Sequence, residues 1–470
     1  MLFLVPFYTL AQDHRFFYEE HHKYKEINLY DRFFNHADIE PLLHSLGLHP
    51  DFEVELQGQS IEGRDIHLVK WGHGPKKIFL WTQMHGDEPT ATMAVFDIFN
   101  FLKSGDHMDF KEELSEKVSL FFLPMVNPDG AEVYKRRNAI DVDLNRDAVR
   151  LQSPESRILK SVRDRYQPQF GFNLHDQSLY YGAGHSGKPV AIAFLAPAYN
   201  REREVNEVRL NAMKLIAELN EIAREYVGEK TAKFSDAFEP RAFGDNMQKW
   251  GTSTVLIESG GLLDDPEKQY LRKLHFTLLM SSFVSIADGN YNNFSRSAYE
   301  AIPANRISIF DLLIENAEVD LGDQQFVLDL GFRNHKVFSD GDHRLLDVGS
   351  RLADVGDLST FGGYKVFDAS EYQIQRAELY QRVYADIEEL INSNWMELIN
   401  RGFAHFRVRK EVHEDLKNIL PFKILTPDQR IPEFPEIGHN PALLMKKDGR
   451  IHYILVHGKM HDLSPFWDME

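Results

Sequence analysis

Four stretches of the chain are near-continuous apolar runs: Ile78 to Trp81, Val118 to Val126, Phe170 to Leu174 and Thr254 to Ile257. A strand covered on both faces needs no polar side, so unbroken rather than alternating runs predict buried strands of a parallel sheet. Between them the period lengthens to that of a helix. Pro89 suits a first helical turn, and Val95, Ile98, Phe99 and Leu102 follow at three- and four-residue spacing. Further helices are expected at Glu155 to Tyr166, Val205 to Tyr226 and Pro266 to Ile286. Strands alternating with helices predict an α/β fold, a doubly wound mixed and mostly parallel sheet with helices on both faces, over residues 35–295.

Beyond residue 295 the texture changes. Phe310 to Ile314, Phe326 to Leu330, Leu345 to Val348 and Tyr364 to Phe367 are short β-like segments between Gly- and Asp-containing turns, which predicts a small accessory β domain over residues 305–370. Ser370 to Ile399 reads as a helix. Residues 371–470 then close with a hairpin, Leu443 to Met445 and Ile451 to Val456, joined through Asp448-Gly449. Residues 1–34 form a separate N-terminal segment. Its short apolar run, Leu2 to Ala11, ends in Thr9-Leu10-Ala11 and suggests the remnant of an export signal, hence a periplasmic or secreted protein. No Lys or Arg precedes the run, so an ordinary buried segment in a cytoplasmic protein is the alternative.

Composition narrows the chemistry. The chain has 470 residues, 43% of them hydrophobic and 27% charged, ample for more than one core. Lys plus Arg is 53 and Asp plus Glu is 72, a net charge of −19, which disfavours a grip on phosphate backbones, so no nucleic-acid partner is expected. No apolar run reaches about 18 residues, so no membrane span is expected. There is no cysteine, which leaves a metal only His, Asp or Glu as side-chain ligands.

Polar clusters follow the buried runs. They are Met84-His85-Gly86-Asp87-Glu88, Asn127-Pro128-Asp129-Gly130, His175-Asp176-Gln177 and, ending the last run, Glu258-Ser259-Gly260-Gly261. In a mostly parallel sheet the carboxyl ends of neighbouring strands share an edge, where ligand sites form. His85 and Glu88 lie three apart on a loop entering a helix and can reach one ion. His175 supplies a third ligand from another strand, leaving a fourth position for water, the mark of a catalytic zinc. A carboxylate that is not a ligand must take the water's proton, and Glu258 is the candidate. An HxxE pair alone also fits a helix-capping acid beside a surface His; the weight lies in the joint placement at strand ends.

These residues resemble the zinc metallocarboxypeptidases related to carboxypeptidases A and B. The similarity runs in order through His85-Gly86-Asp87-Glu88, Asn127-Pro128-Asp129-Gly130, Val142-Asp143-Leu144-Asn145-Arg146, His175 and Glu258-Ser259-Gly260-Gly261, over residues 40–290. The resemblance implies one Zn2+ held by His85, Glu88 and His175, with Glu258 as general base. It implies that Asn145 and Arg146 grip a substrate's terminal carboxylate. Arg136 or Arg137 matches the arginine that polarises the scissile carbonyl, Arg136 being favoured by its distance to Asn145. Asp143 matches a carboxylate that orients a ligand histidine, His85.

Digestive members of the family carry a tyrosine about two dozen residues before the catalytic glutamate, whereas Thr231 to Gly251 contains none. Phe234 and Phe238 stand near that place. The same loop offers Asp236, Glu239, Arg241 and Asp245, whose charges conflict, so no side-chain preference follows. The expected function is hydrolysis of an amide bond beside a free carboxylate, in peptides or cell-wall peptides. An N-acyl amino acid deacylase of the desuccinylase and aspartoacylase type is the alternative. A non-catalytic binding protein would be expected to lose a ligand or the base, and all four are present. Residues Phe310 to Ala369 weakly resemble the small β unit flanking the barrel of amidohydrolases, without an HxH metal motif. His452, His457 and His461 read as solvated hairpin histidines.

Overall fold

The computed structural model describes residues 14–321, 324–338, 345–417, 419–431 and 433–465. The apolar start on which the export reading rests lies outside these residues. The chain divides into two units: the first runs to Gly184 and from Pro189 to Ile307, the second comprises His185–Lys188 and the chain from Ser308 onward. No helix among the described residues is long and apolar enough to cross a membrane.

The first unit is built on strands β1 (Phe52–Gln59), β2 (Asp65–Trp71), β3 (Lys76–Thr82), β4 (Val118–Leu123), β5 (Phe170–Asp176), β6 (Tyr181–Ala183), β7 (Ile192–Leu195), β8 (Thr231–Lys233), β9 (Ser253–Ser259) and β10 (Asn305–Ile307). Eight of them form one mixed sheet in the order β1-β2-β4-β3-β5-β9-β7-β8, while β6 pairs with β10. The four runs legible in the sequence are the adjacent parallel strands β4-β3-β5-β9. Strand β4 ends at Leu123 rather than Val126 because Pro124 has no N–H to give the ladder.

Alternation along β3 shows how both faces are covered. Ile78 and Leu80 pack with helices Thr90–Lys103, Glu207–Val227 and Gln269–Asp288; Phe79 and Trp81 face the other side, with helices Pro154–Tyr166 and Phe243–Lys249. The fold is thus the α/β layering expected.

The expected boundary near residue 35 is not one. Phe17, Tyr24, Leu29 and Phe34 are buried in the same core as the helices, and a fully buried ion pair ties the segment down. Arg272 donates from Nε to Asp97 Oδ2 at 2.7 Å and from Nη2 to Asp97 Oδ1 at 2.5 Å. The same guanidinium donates to the Leu29 carbonyl at 2.5 Å and the Glu26 carbonyl at 2.9 Å. His21 Nε2 lies 2.7 Å from Asp97 Oδ2, and the Glu26 N–H donates to Asp97 Oδ1 at 2.7 Å.

The second unit holds β11 (Ile309–Leu321), β12 (Gln324–Phe338), β13 (Leu345–Gly356), β14 (Gly362–Asp368), β15 (Gln373–Arg376), β16 (Glu378–Tyr384), β17 (Phe403–Val408), β18 (Lys423–Leu425), β19 (Leu443–Lys447), β20 (Arg450–Val456) and β21 (Lys459–Asp462). The helix expected over Ser370 to Ile399 is instead β15, β16 and two short helices, Ile387–Ile391 and Trp395–Asn400. Tertiary pairing overrides helix propensity there: Ile374 is buried between Val319 of β11 and Met445 of β19. That pairing also removes the expected boundary at residue 370, since β11 to β15 and β19 to β21 share one sheet. The hairpin at the end is present. Its turn residues Asp448 and Gly449 have φ of 52° and 80°, the left-handed pair that a two-residue turn of matching twist requires.

Replacing Arg272 by Met strands a buried carboxylate at Asp97, and the loss should be about 3–5 kcal/mol in urea unfolding. Adding Asp97→Leu to that variant removes the orphaned charge and should recover part of the loss.

Candidate metal centre

The loop after β3 is shaped by what it must approach. A Cβ on Gly86 would fall 2.0 Å from the Gly130 carbonyl carbon, so only glycine lets this loop lie against the Asn127–Gly130 turn. That turn is locked in place. Asn127 Oδ1 accepts from the Gly130 N–H at 2.9 Å, and its Nδ2 donates to the Arg136 carbonyl at 3.3 Å. The buried Asp129 accepts from Ser60 Oγ at 2.7 Å, Arg64 Nη1 at 2.7 Å and the Glu62 N–H at 3.0 Å. The Asn-Pro-Asp-Gly motif therefore aims the segment carrying Arg136 at the loop carrying His85.

Strands β5 and β9 run parallel with His175 beside Glu258, so both side chains rise from one face. His85, Glu88 and His175 offer ligand atoms that all lie within 4.8 Å of one another, and all three side chains are buried. His85 Nδ1 lies 2.8 Å from Glu88 Oε1; His175 Nδ1 lies 2.6 Å from Glu88 Oε2 and 3.1 Å from His85 Nδ1. The other ring nitrogen of His85, Nε2, is 3.2 Å from Asp143 Oδ1. A proton kept on Nε2 by that contact means that Nδ1, once its own proton leaves, aims a lone pair toward Glu88 and His175. Two imidazole nitrogens and a carboxylate converging from water-poor surroundings form a set of electron pairs that a cation completes, and two nitrogens with one oxygen suit zinc.

Charge around the set is polarised accordingly. Burial opposes a charge on His85, but Glu88 and the Asp143 hydrogen bond outweigh it and lift the imidazole to about 9. Burial likewise opposes the charges on Glu88 and Asp143, yet the histidines hold both carboxyls well below the usual range. Glu258 goes the other way: burial, then the neighbouring Glu88, push its carboxyl well above the ordinary value, with His85 only partly offsetting them. Its carboxyl has no hydrogen bond to another described residue.

Arg136 reaches the set and Arg137 does not. Arg136 Nε donates to Asp143 Oδ2 at 3.1 Å, while Nη1 lies 2.9 Å from His85 Nδ1 and 3.2 Å from Glu88 Oε1. Arg137 is exposed and donates to the Asp141 carbonyl at 2.8 Å. Asn145 accepts from the Phe243 N–H at 2.9 Å through Oδ1, which turns Nδ2 toward His175, 3.5 Å from its Nε2. Arg146 donates from Nη1 to the Asn145 carbonyl at 2.7 Å and keeps Nε 3.4 Å from Glu239.

The motifs gave no hint of Lys268. Buried at 3% exposure, it donates to the Ser259 carbonyl at 3.1 Å and pairs with Asp176 at 3.1 Å. It thereby joins the ends of β5 and β9 just past His175 and Glu258. Asp176 also accepts from Thr90 Oγ1 at 2.7 Å and gives its N–H to Glu88 Oε2 at 3.2 Å. A lysine in the run Asp264-Asp265-Pro266-Glu267-Lys268 looks like ordinary surface charge, so only the folded contact reveals it. His85, Glu88 and His175 are the only such metal-capable group among the described residues.

Residues 39–257 match the family model described as zinc carboxypeptidase. The probable carboxypeptidase 2 of Trichophyton verrucosum is 28% identical over 103 residues, 22% of this chain and 20% of the fungal protein. Carboxypeptidase SOL1 of Arabidopsis thaliana is 32% identical over 97 residues, 19% of this chain and 20% of the plant protein. The chain thus spans about a fifth of the length of these curated relatives. Among solved structures, the metallo-carboxypeptidase from Burkholderia cenocepacia aligns with TM-score 0.44 at 16% identity, covering 54% of this chain and 69% of that one.

Zinc must displace the His85 proton, which the metal-free protein carries below pH of about 9. Zinc affinity should therefore climb as pH rises toward 9, with proton release on binding, as read by competition with a chromophoric chelator. Asp143→Ala should weaken zinc binding about 10- to 100-fold in the same assay.

Proposed function

We infer that residues 39–257, which match the zinc carboxypeptidase family model, carry with Glu258 the active site of a hydrolase that cleaves the amide bond next to a free carboxylate. The observation that carries this reading is the neighbouring placement of His175 and Glu258 on parallel strands, with His85 and Glu88 closing on the same point. Zinc held by these three side chains supplies a positive charge that acidifies a water and polarises a carbonyl.

The remaining work falls to the chain's own groups. Glu258, raised in pKa and without a hydrogen-bond partner among the described residues, takes a proton from the attacking water and passes it to the departing amide nitrogen. Arg136, held from behind by Asp143, turns Nη1 toward the ligand set and stabilises charge growing on the carbonyl oxygen. Asn145, its oxygen occupied by the Phe243 N–H, offers its amide nitrogen, and Arg146 its guanidinium, to the substrate's terminal carboxylate. Asp143 fixes the His85 ring. The substrate is a peptide with a free C-terminus. The tyrosine-free loop Thr231 to Gly251 supports a second reading, N-acyl amino acids, which present the same carboxylate.

Glu258→Gln should retain zinc by elemental analysis while losing about 10² to 10⁴ of the hydrolytic rate; normal turnover by that variant would remove the mechanism. In a panel of peptides with free and amidated C-termini beside N-acyl amino acids, only free carboxylates should turn over. Which arm is faster decides between the two substrate classes.

A further inference from the structure

On the far side of Glu258 from His175 stands a phenol that no motif marks. Strand β7 runs antiparallel to β9 with Ala193 opposite Glu258, so the methyl and the carboxyl share a sheet face; Ala193 in turn neighbours Ala232 of β8. These two small residues leave a shallow place beside the acid. Tyr181 of β6 fills it, packing on Ala183, Val190, Ala193 and Ala232, with its ring centroid 5.5 Å from that of Phe234. The tyrosine is half-buried and its hydroxyl has no hydrogen bond to another described residue. A phenol partly removed from water normally finds a partner. Burial and the charge of Glu258 raise the pKa of Tyr181, so the hydroxyl keeps its proton and remains a donor. Glu258 thus lies between His175 and a donor that has no hydrogen-bond partner among the described residues.

We propose that Tyr181 binds substrate, its hydroxyl donating a hydrogen bond to a carbonyl oxygen of the peptide lying alongside Glu258. The proposal rests on the hydrolase reading above and adds a substrate contact from a strand that carries none of the family's motifs. Tyr181→Phe removes the hydroxyl and keeps the ring on Phe234, so it isolates the contact from the packing.

With the zinc-loaded full chain and a free-carboxylate peptide, Tyr181→Phe should raise KM about three- to ten-fold, the size of one lost hydrogen bond, and leave kcat within about two-fold. Calorimetry should give the same rise in Kd when Glu258→Gln/Tyr181→Phe is compared with Glu258→Gln alone. An unchanged KM and Kd, or a loss confined to kcat, overturns the proposal. If the wild type binds the peptide without cleaving it, the hydrolase reading fails while the Kd comparison still decides the role of Tyr181. If the wild type does not bind it, both fall.

Discussion

Electron pairs resist being crowded together out of water, and the first unit is organised around doing so. Two imidazole nitrogens and both oxygens of Glu88 meet in a buried space, an arrangement that costs free energy until a positive charge enters it. Each element that brings them there is held by something rigid. His175 rides on a central strand, His85 on a loop pressed into glycine backbone, and Glu88 on the turn that opens a helix. Asp143 binds both His85 and Arg136, so ring orientation and guanidinium position are set by one carboxylate. The structure commits to an ion before the ion arrives, which is what preorganisation means for a metal site.

The parallel core was legible because its strands are covered on both faces and carry no alternation to blur them. The clustering of residues 85, 88, 175 and 258 was legible because strand ends gather at one edge, although these residues lie far apart in sequence. What the chain hid has a common cause. Neighbouring arginines at 136 and 137 look alike in a string, and the difference between them is an asparagine amide at 127 that holds the carbonyl of 136. Lys268 and Tyr181 stand out only through contacts that folding creates.

The C-terminal third was misread where local and tertiary preferences disagree. Residues 370–399 contain many good helix formers, yet Ile374 is drawn between two strands distant in sequence. Short strands of this kind carry too few residues for their period to outweigh composition. By contrast, Asp448-Gly449 declares its turn locally, because few residue pairs accept two left-handed conformations in succession.

The clamp formed by Arg272 and Asp97 separates two ideas of where a domain begins. The span shared with relatives opens at residue 39, but the residues that cover this ion pair lie before it, at His21, Glu26 and Leu29. A polypeptide trimmed to the shared span would keep His85, Glu88 and His175 but lose Arg272 as well as the residues that cover it, leaving Asp97 buried without its cation. The matched span thus stops one residue short of Glu258 and omits both sides of what holds Asp97, so it bounds neither the polar cluster nor the core.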